Sequence, residues 1–181
     1  MSAPTVNRVY APLLAKARVT GSRDARVKKV IDLIWDRFSE PMHPATETEG
    51  EVHRHPAISW VGIYTKVEGA DEMVLAYCRN KPACSPIGLH GVCGRGWRER
   101  ACVVVHDVAT LGENYIACDA NDKSELVVPL LGEDGTCWGV LDVDSHEVGA
   151  FNERDAAGMS ALMQRFGLTT QRVEDGEVIR L

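Results

Sequence analysis

No run of the 181-residue sequence approaches the roughly 18 apolar residues that a membrane span needs. The N-terminus, Met-Ser-Ala-Pro-Thr, lacks the basic start and apolar core of a secretory leader, so a cytoplasmic location is expected. Basic clusters are missing, and with a net charge of −6 no nucleic-acid partner is expected. No Cys-x-x-Cys occurs and no cysteines pair at zinc-site spacing, so neither metal nor cofactor is expected. Repeats and low-complexity tracts are absent. In a reducing compartment the six cysteines (78, 84, 93, 102, 118 and 137) call for catalysis or burial rather than a disulfide framework.

The length fits one domain with a good core. Its expected parts are N-terminal helices and a loop over 1–50, a core over 51–168 and a polar tail over 169–181. A short helix is predicted over 5–17, with Val6, Val9, Tyr10, Leu13 and Leu14 as its apolar set. Ser22 is placed to cap a second helix over 23–39, whose stripe is Val27, Val30, Ile31, Ile34, Trp35 and Phe38. Residues 39–56 read as a solvated loop carrying His43, His53 and His55.

Strands are predicted over 57–67, 73–78 and 102–105. In the first, Trp60, Gly62 and Tyr64 share a face, with Val61 and Ile63 on the other. A bare glycine between two aromatics would leave a dent there. Gly91-Val-Cys-Gly-Arg-Gly reads as a glycine-rich entry into a short helix holding Cys93. The free N–H groups of such a start can hold a carboxylate and lower a thiol pKa. A long connection over 106–124 follows, of a length usual for functional loops. Residues 125–131 and 136–145 form the clearest hairpin, turning at Gly132-Glu-Asp-Gly135. Asn152, with Asp155 three residues on, caps a last helix striped with Met159, Leu162, Met163 and Phe166.

The chemistry gathers around Ile116–Pro129, where a polar turn carrying Cys118 runs into an apolar strand that begins at Glu125. On the second hairpin strand Val140, Asp142 and Asp144 share a face, the two carboxylates roughly 7 Å apart. Glu125 lies on the partner strand. Three carboxylates without a lysine or arginine among them make a costly cluster, which persists when it holds a cation or a proton. Cys78, Cys102 and Cys137 sit in apolar strands and read as buried. Cys84, Cys93 and Cys118 sit in loops or at an element end, which suggests one attacking and one resolving thiol. Asp119 beside Cys118 is expected to raise that thiol's pKa.

Trp60-x-x-x-Tyr64, Cys84, Gly91-Val-Cys-Gly94, Ile116-Ala-Cys-Asp119, Ser124-Glu-Leu-Val-Val-Pro129 and Leu141-Asp-Val-Asp-Ser145 together resemble the free methionine-(R)-sulfoxide reductases, which are single GAF domains. The resemblance implies an α+β fold: a GAF-like central antiparallel sheet, helices on one side and a loop-covered ligand pocket. It implies a cytoplasmic oxidoreductase of oxidative-stress defence that reduces free L-methionine-(R)-sulfoxide. Cys118 matches the catalytic cysteine, Cys84 the resolving one and Cys93 an auxiliary thiol or rival attacker. Trp60, Tyr64, Glu125, Asp142 and Asp144 match the pocket, with Glu125 the expected acid and Asp144 assisting. A redox-active disulfide, a thioredoxin-type donor and a homodimer are implied as well. The loops depart from the family at Tyr77-Cys-Arg-Asn80, Arg95-Gly96-Trp97 and Tyr115. Two rival readings are a non-catalytic GAF sensor and a general thiol redox sensor or peroxidase.

Overall fold

The computed structural model describes residues 7–41, 55–81, 84–115, 118–170 and 178–181. Seven strands form one sheet in the order β3-β2-β1-β6-β5-β4-β7. They are β1 (Trp60–Lys66), β2 (Glu72–Arg79), β3 (Ile87–Gly88), β4 (Cys102–Val105), β5 (Ser124–Leu131), β6 (Cys137–Ser145) and β7 (Val178–Arg180). Every pairing is antiparallel except that of β7 with β4. The sheet read from the motifs thus gains a parallel edge strand from the C-terminal tail, to which the sequence pattern assigned nothing.

Helices α1 (Ala11–Lys16), α2 (Arg23–Phe38) and α4 (Glu153–Arg165) pack with one face of the sheet. Val61, Ile63, Leu126, Val128, Leu141 and Val143 point into that core. Trp60, Tyr64, Val103, Val105, Val127 and Val140 point the other way, toward α3 (Val92–Glu99). Period-two alternation therefore sorts both faces as expected for strands buried on two sides. The structure puts α3 on the second face, with Val108 and Leu111 packed in the same cluster, and that face carries the pocket.

Local signals explain most element ends. Ser22 Oγ accepts from Ala25 N at 3.2 Å and starts α2. Asn152 and Asp155 form a complete capping box at α4. The β5–β6 turn closes with Gly132 N on Thr136 O at 2.9 Å, and Gly135 takes a φ of 75° that suits glycine. The first helix is shorter than predicted, beginning at Ala11 with Pro12 in its first turn. Val6 lies outside the described residues. Within the long 106–124 connection, Val108–Asn114 forms 3₁₀ turns interrupted at Gly112.

His43 and His53 lie outside the described residues, but His55 corrects the loop reading. It is 2% exposed and packs edge-on against Phe38, with 5.2 Å between ring centroids. Beside it Arg8 is buried, donating to Ala150 O at 2.7 Å, Pro56 O at 2.9 Å and Asp155 Oδ2 at 3.1 Å. Tyr10 Oη donates to Asp155 Oδ1 at 2.8 Å. This network ties the N-terminal segment to the start of α4. Among the described residues no helix is long and apolar enough to cross a membrane.

Asp155→Ala should strand the buried guanidinium and remove the capping box. A loss of about 3–5 kcal/mol is expected in urea unfolding. Tyr10→Phe, which deletes one hydrogen bond, should cost about 1 kcal/mol.

Candidate active site

Strand register assembles the site. Asp144 on β6 stands between Trp60 on β1 and Glu125 on β5. One pleat along, Asp142 stands between Gly62 and Val127. β6 is thus flanked on both sides; Asp142 is buried and Asp144 is partly buried. Directly opposed residues such as Glu125 and Asp144 bring their Cβ atoms to about 5 Å.

A cavity of about 320 Å³ opens over this face. Trp60 and Tyr64 wall one side, with ring centroids 5.9 Å apart and planes at 30°. A Cβ on Gly62 would lie 2.2 Å from Trp60 Cη2, so the indole itself covers the glycine. The dent expected at Gly62 is therefore filled by its neighbour, and the glycine's role is to let that ring lie flat. The indole N–H donates to Lys81 O at 2.7 Å, and Tyr64 Oη donates to Cys84 O at 2.9 Å. Each aromatic thus pins the loop that carries Cys84. On the opposite side α3 sits close to the sheet: a Cβ on Gly96 would meet Val127 Cγ1 at 2.6 Å.

All eight site residues named from the motifs line this one cavity: Trp60, Tyr64, Cys84, Cys93, Cys118, Glu125, Asp142 and Asp144. Ile116 and Ala117 of the quoted motif lie outside the described residues. Pattern reading missed Asp122 and gave Tyr115 only as a loop departure; both also line the cavity. Asp122 is 8% exposed and accepts from Ser59 Oγ at 2.9 Å. Its only sequence signal was a second acid, after Asp119, in the polar turn that carries Cys118.

Among the described residues, no lysine or arginine lines the cavity. Burial drives the Glu125 carboxyl well above the usual range, helped by the charges of Asp142 and Asp122 and by a hydrogen bond with Asp142. Asp144 is pushed well up by burial, then by Asp142 and Glu125. Asp142 rises only to about 7, because bonds from Cys93, Glu125 and the Val143 backbone offset part of its burial. Its Oδ1 is buried and has no hydrogen-bond partner. Burial therefore favours protons on this cluster, and Asp142 has one acceptor to spare.

The thiols differ from two expectations. Cys93 sits in the first turn of α3, yet its pKa is raised well above normal by burial and by the charges of Asp142 and Glu125. The helix start does not activate it. Cys118 is exposed at the rim, and its pKa is pushed up to about 12 by desolvation and by its contact with the Cys84 thiol. Asp119 is not the cause, because its carboxylate turns away to Asn121 and His146. Cys78, Cys102 and Cys137 lie off the cavity; Cys102 and Cys137 are buried and Cys78 is partly so. Cys93, Glu125 and Asp142 offer three donor atoms within 4.8 Å of one another. Burial favours the protonated form of each, so a metal ion would first have to displace those protons.

Comparison with known proteins agrees with this geometry. The family model for the GAF domain matches residues 52–169. The free methionine-R-sulfoxide reductase of Escherichia coli is 36% identical over 108 residues, 59% of this chain and 62% of that protein. The Neisseria meningitidis free methionine-R-sulfoxide reductase, solved in complex with its substrate, superposes with a TM-score of 0.69 at 28% identity, over 93% of this chain and 98% of that one. A Burkholderia vietnamiensis protein described as a GAF sensor superposes with a TM-score of 0.70 at 34% identity, over 87% and 90%. The chain spans 62–65%, under two thirds, of the curated relatives that it matches at 36–38% identity.

Asp142 gives a measurable pH signature. Its carboxyl ionises near 3.9 in an unfolded chain and at about 7 when folded. From about pH 4 to about 7 the folded state keeps a proton that the unfolded state has released, so stability should fall as pH rises through that window. Asp142→Asn should unfold at the same urea concentration as the parent near pH 4. Above pH 7 it should be the more stable, by on the order of 4 kcal/mol.

Proposed function

The chain belongs to the GAF-domain family, and its motifs and relatives set it beside the free methionine-(R)-sulfoxide reductases; on that premise we propose that it reduces free L-methionine-(R)-sulfoxide to methionine. The observation that carries the reading is a carboxyl cluster with no lysine or arginine among its described lining residues, next to a contacting pair of thiols, with burial raising the Glu125 carboxyl pKa. Such a pocket suits a substrate with one ammonium, one basic S=O oxygen and an apolar methyl.

Trp60 and Tyr64 take the methyl and the side chain. Asp142, nearest its ionised form, pairs with the ammonium through its spare oxygen. Glu125 keeps its proton and donates it to the sulfoxide oxygen, with Asp144 assisting. Protonation makes the sulfur a better electrophile, which offsets the poor ionisation of Cys118. The Cys118 sulfur attacks the substrate sulfur and forms an S–S bond. The hydroxyl then passes from that sulfur to Cys118 as the S–S bond and the substrate's S–O bond break, so methionine leaves with two electrons gained and Cys118 is left as a sulfenic acid. The sulfenic acid on Cys118 condenses with the Cys84 thiol and releases water. A thioredoxin-type donor then reduces the disulfide by exchange, in a cytoplasmic protein paired as a homodimer. Cys93, buried with a raised pKa, serves as the auxiliary thiol rather than the first attacker.

A peptide-bound sulfoxide lacks the ammonium and would leave Asp142 unpaired, so it is rejected. Likeness to the Burkholderia vietnamiensis protein supports a second reading, a small-molecule sensor. A sensor would bind its ligand regardless of Cys118 and turn nothing over.

Turnover can be followed as NADPH loss through thioredoxin and its reductase, with a dithiol as an alternative donor. The free R epimer should be consumed, and the S epimer and peptide-bound sulfoxide should not. Cys118→Ser should abolish the reaction. Glu125→Gln should lower kcat by about 10²–10⁴. No turnover with either donor would replace the reductase by the sensor.

A further inference from the structure

A second cavity, also of about 320 Å³, lies behind the first and shares four wall residues with it: Trp60, Cys118, Asp122 and Asp144. Its far side is polar and includes His146, just beyond the end of β6. His146 Nε2 is 3.3 Å from Asp119 Oδ2 and 3.6 Å from Asp122 Oδ1. His146 is about half exposed, whereas Asp122 is buried. Asp122 also lines the first cavity together with Glu125, Asp142 and Asp144, and its charge acts on all three. One buried carboxylate thus stands between an exposed imidazole and the reacting groups.

The proposed reduction needs such a link. Cys118 must lose its thiol proton before its sulfur attacks, while Glu125 loses a proton to the sulfoxide oxygen. The two losses leave one proton to remove from beside Cys118 and one to restore to the carboxyl cluster, with no net change per turnover. We propose that Asp122 and His146 are positioning residues that form the proton path between Cys118, the carboxyl cluster and solvent. The proposal rests on the reductase reading. Asp122 faces both cavities, and His146 carries protons between Asp122 and water. Asp119, also on His146, anchors the Cys118 turn to the end of β6. The other charged groups facing the imidazole across this cavity are Asp144 and Lys81. Burial raises the Asp122 pKa, as suits a group that exchanges protons rather than holding a fixed charge.

The test uses the full chain, a dithiol donor and weakly buffered solution. His146→Gln should lower kcat by about tenfold to a hundredfold with KM within twofold. Asp122→Asn should do the same, and the double variant should be no slower than the slower single one, since both interrupt one path. Added imidazole should restore His146→Gln in a saturable manner and leave Asp122→Asn slow. A kcat unchanged in His146→Gln would overturn the path, as would a loss that imidazole does not restore or an additive double variant. An inactive wild-type protein would instead overturn the reductase reading beneath it.

Discussion

Three carboxyl groups on adjacent strands, with no lysine or arginine among the described residues that line their cavity, set the terms for the rest of this molecule. Burial disfavours charge there, so the carboxyls tend to keep protons or receive a cation from outside. Both suit a zwitterionic sulfoxide, whose oxygen wants a proton and whose ammonium wants a carboxylate. The three acids are not equivalent. Asp142 is held nearest to ionisation by bonds from Cys93, Glu125 and the backbone, while Glu125 and Asp144 are held well above it. Environment separates the acid from the counter-ion in a cluster of like groups.

The opposite face of the sheet gives the contrast. Asp155 is equally enclosed, but Arg8, Tyr10 and the Asn152 backbone occupy its oxygens. That aspartate has a complete set of partners and serves the fold. Asp142 has an orphan oxygen and serves the site. Two buried aspartates on opposite faces of one sheet thus do opposite work, and the difference lies in what the neighbouring elements bring to them. The scaffold around the pocket is correspondingly tight: Gly62 admits the indole, Gly96 admits the sheet, and two aromatic hydrogen bonds hold the Cys84 loop.

Much of this was legible in the sequence, for identifiable reasons. Alternation in Trp60–Tyr64 and Val140–Asp144 sorted the faces correctly because both strands are central and pair with each other without a register shift. The caps at Ser22 and Asn152 were readable because they act over three residues. What escaped depends on contacts distant in sequence. β7 is three residues of a polar tail, made a strand only by β4 beside it. His55 is buried by Phe38, and Arg8 by partners more than forty residues away. Asp122 looked like any acid in a turn until Ser59 and the second cavity gave it neighbours. The raised Cys118 pKa was expected but its cause was not, for the same reason: local sequence put Asp119 beside Cys118, but the side chain turned to His146.

The central claim, a carboxyl cluster that is protonated when empty and ionises to receive an ammonium, can be tested by calorimetry. Cys118→Ser protein would be titrated with free L-methionine-(R)-sulfoxide in buffers of different ionisation enthalpy, so that protons released on binding are counted. At about pH 6, below the Asp142 value of about 7, binding should release close to one proton, and Asp142→Asn should release none. Binding without proton release at that pH, with equal affinity in Asp142→Asn, would contradict the account.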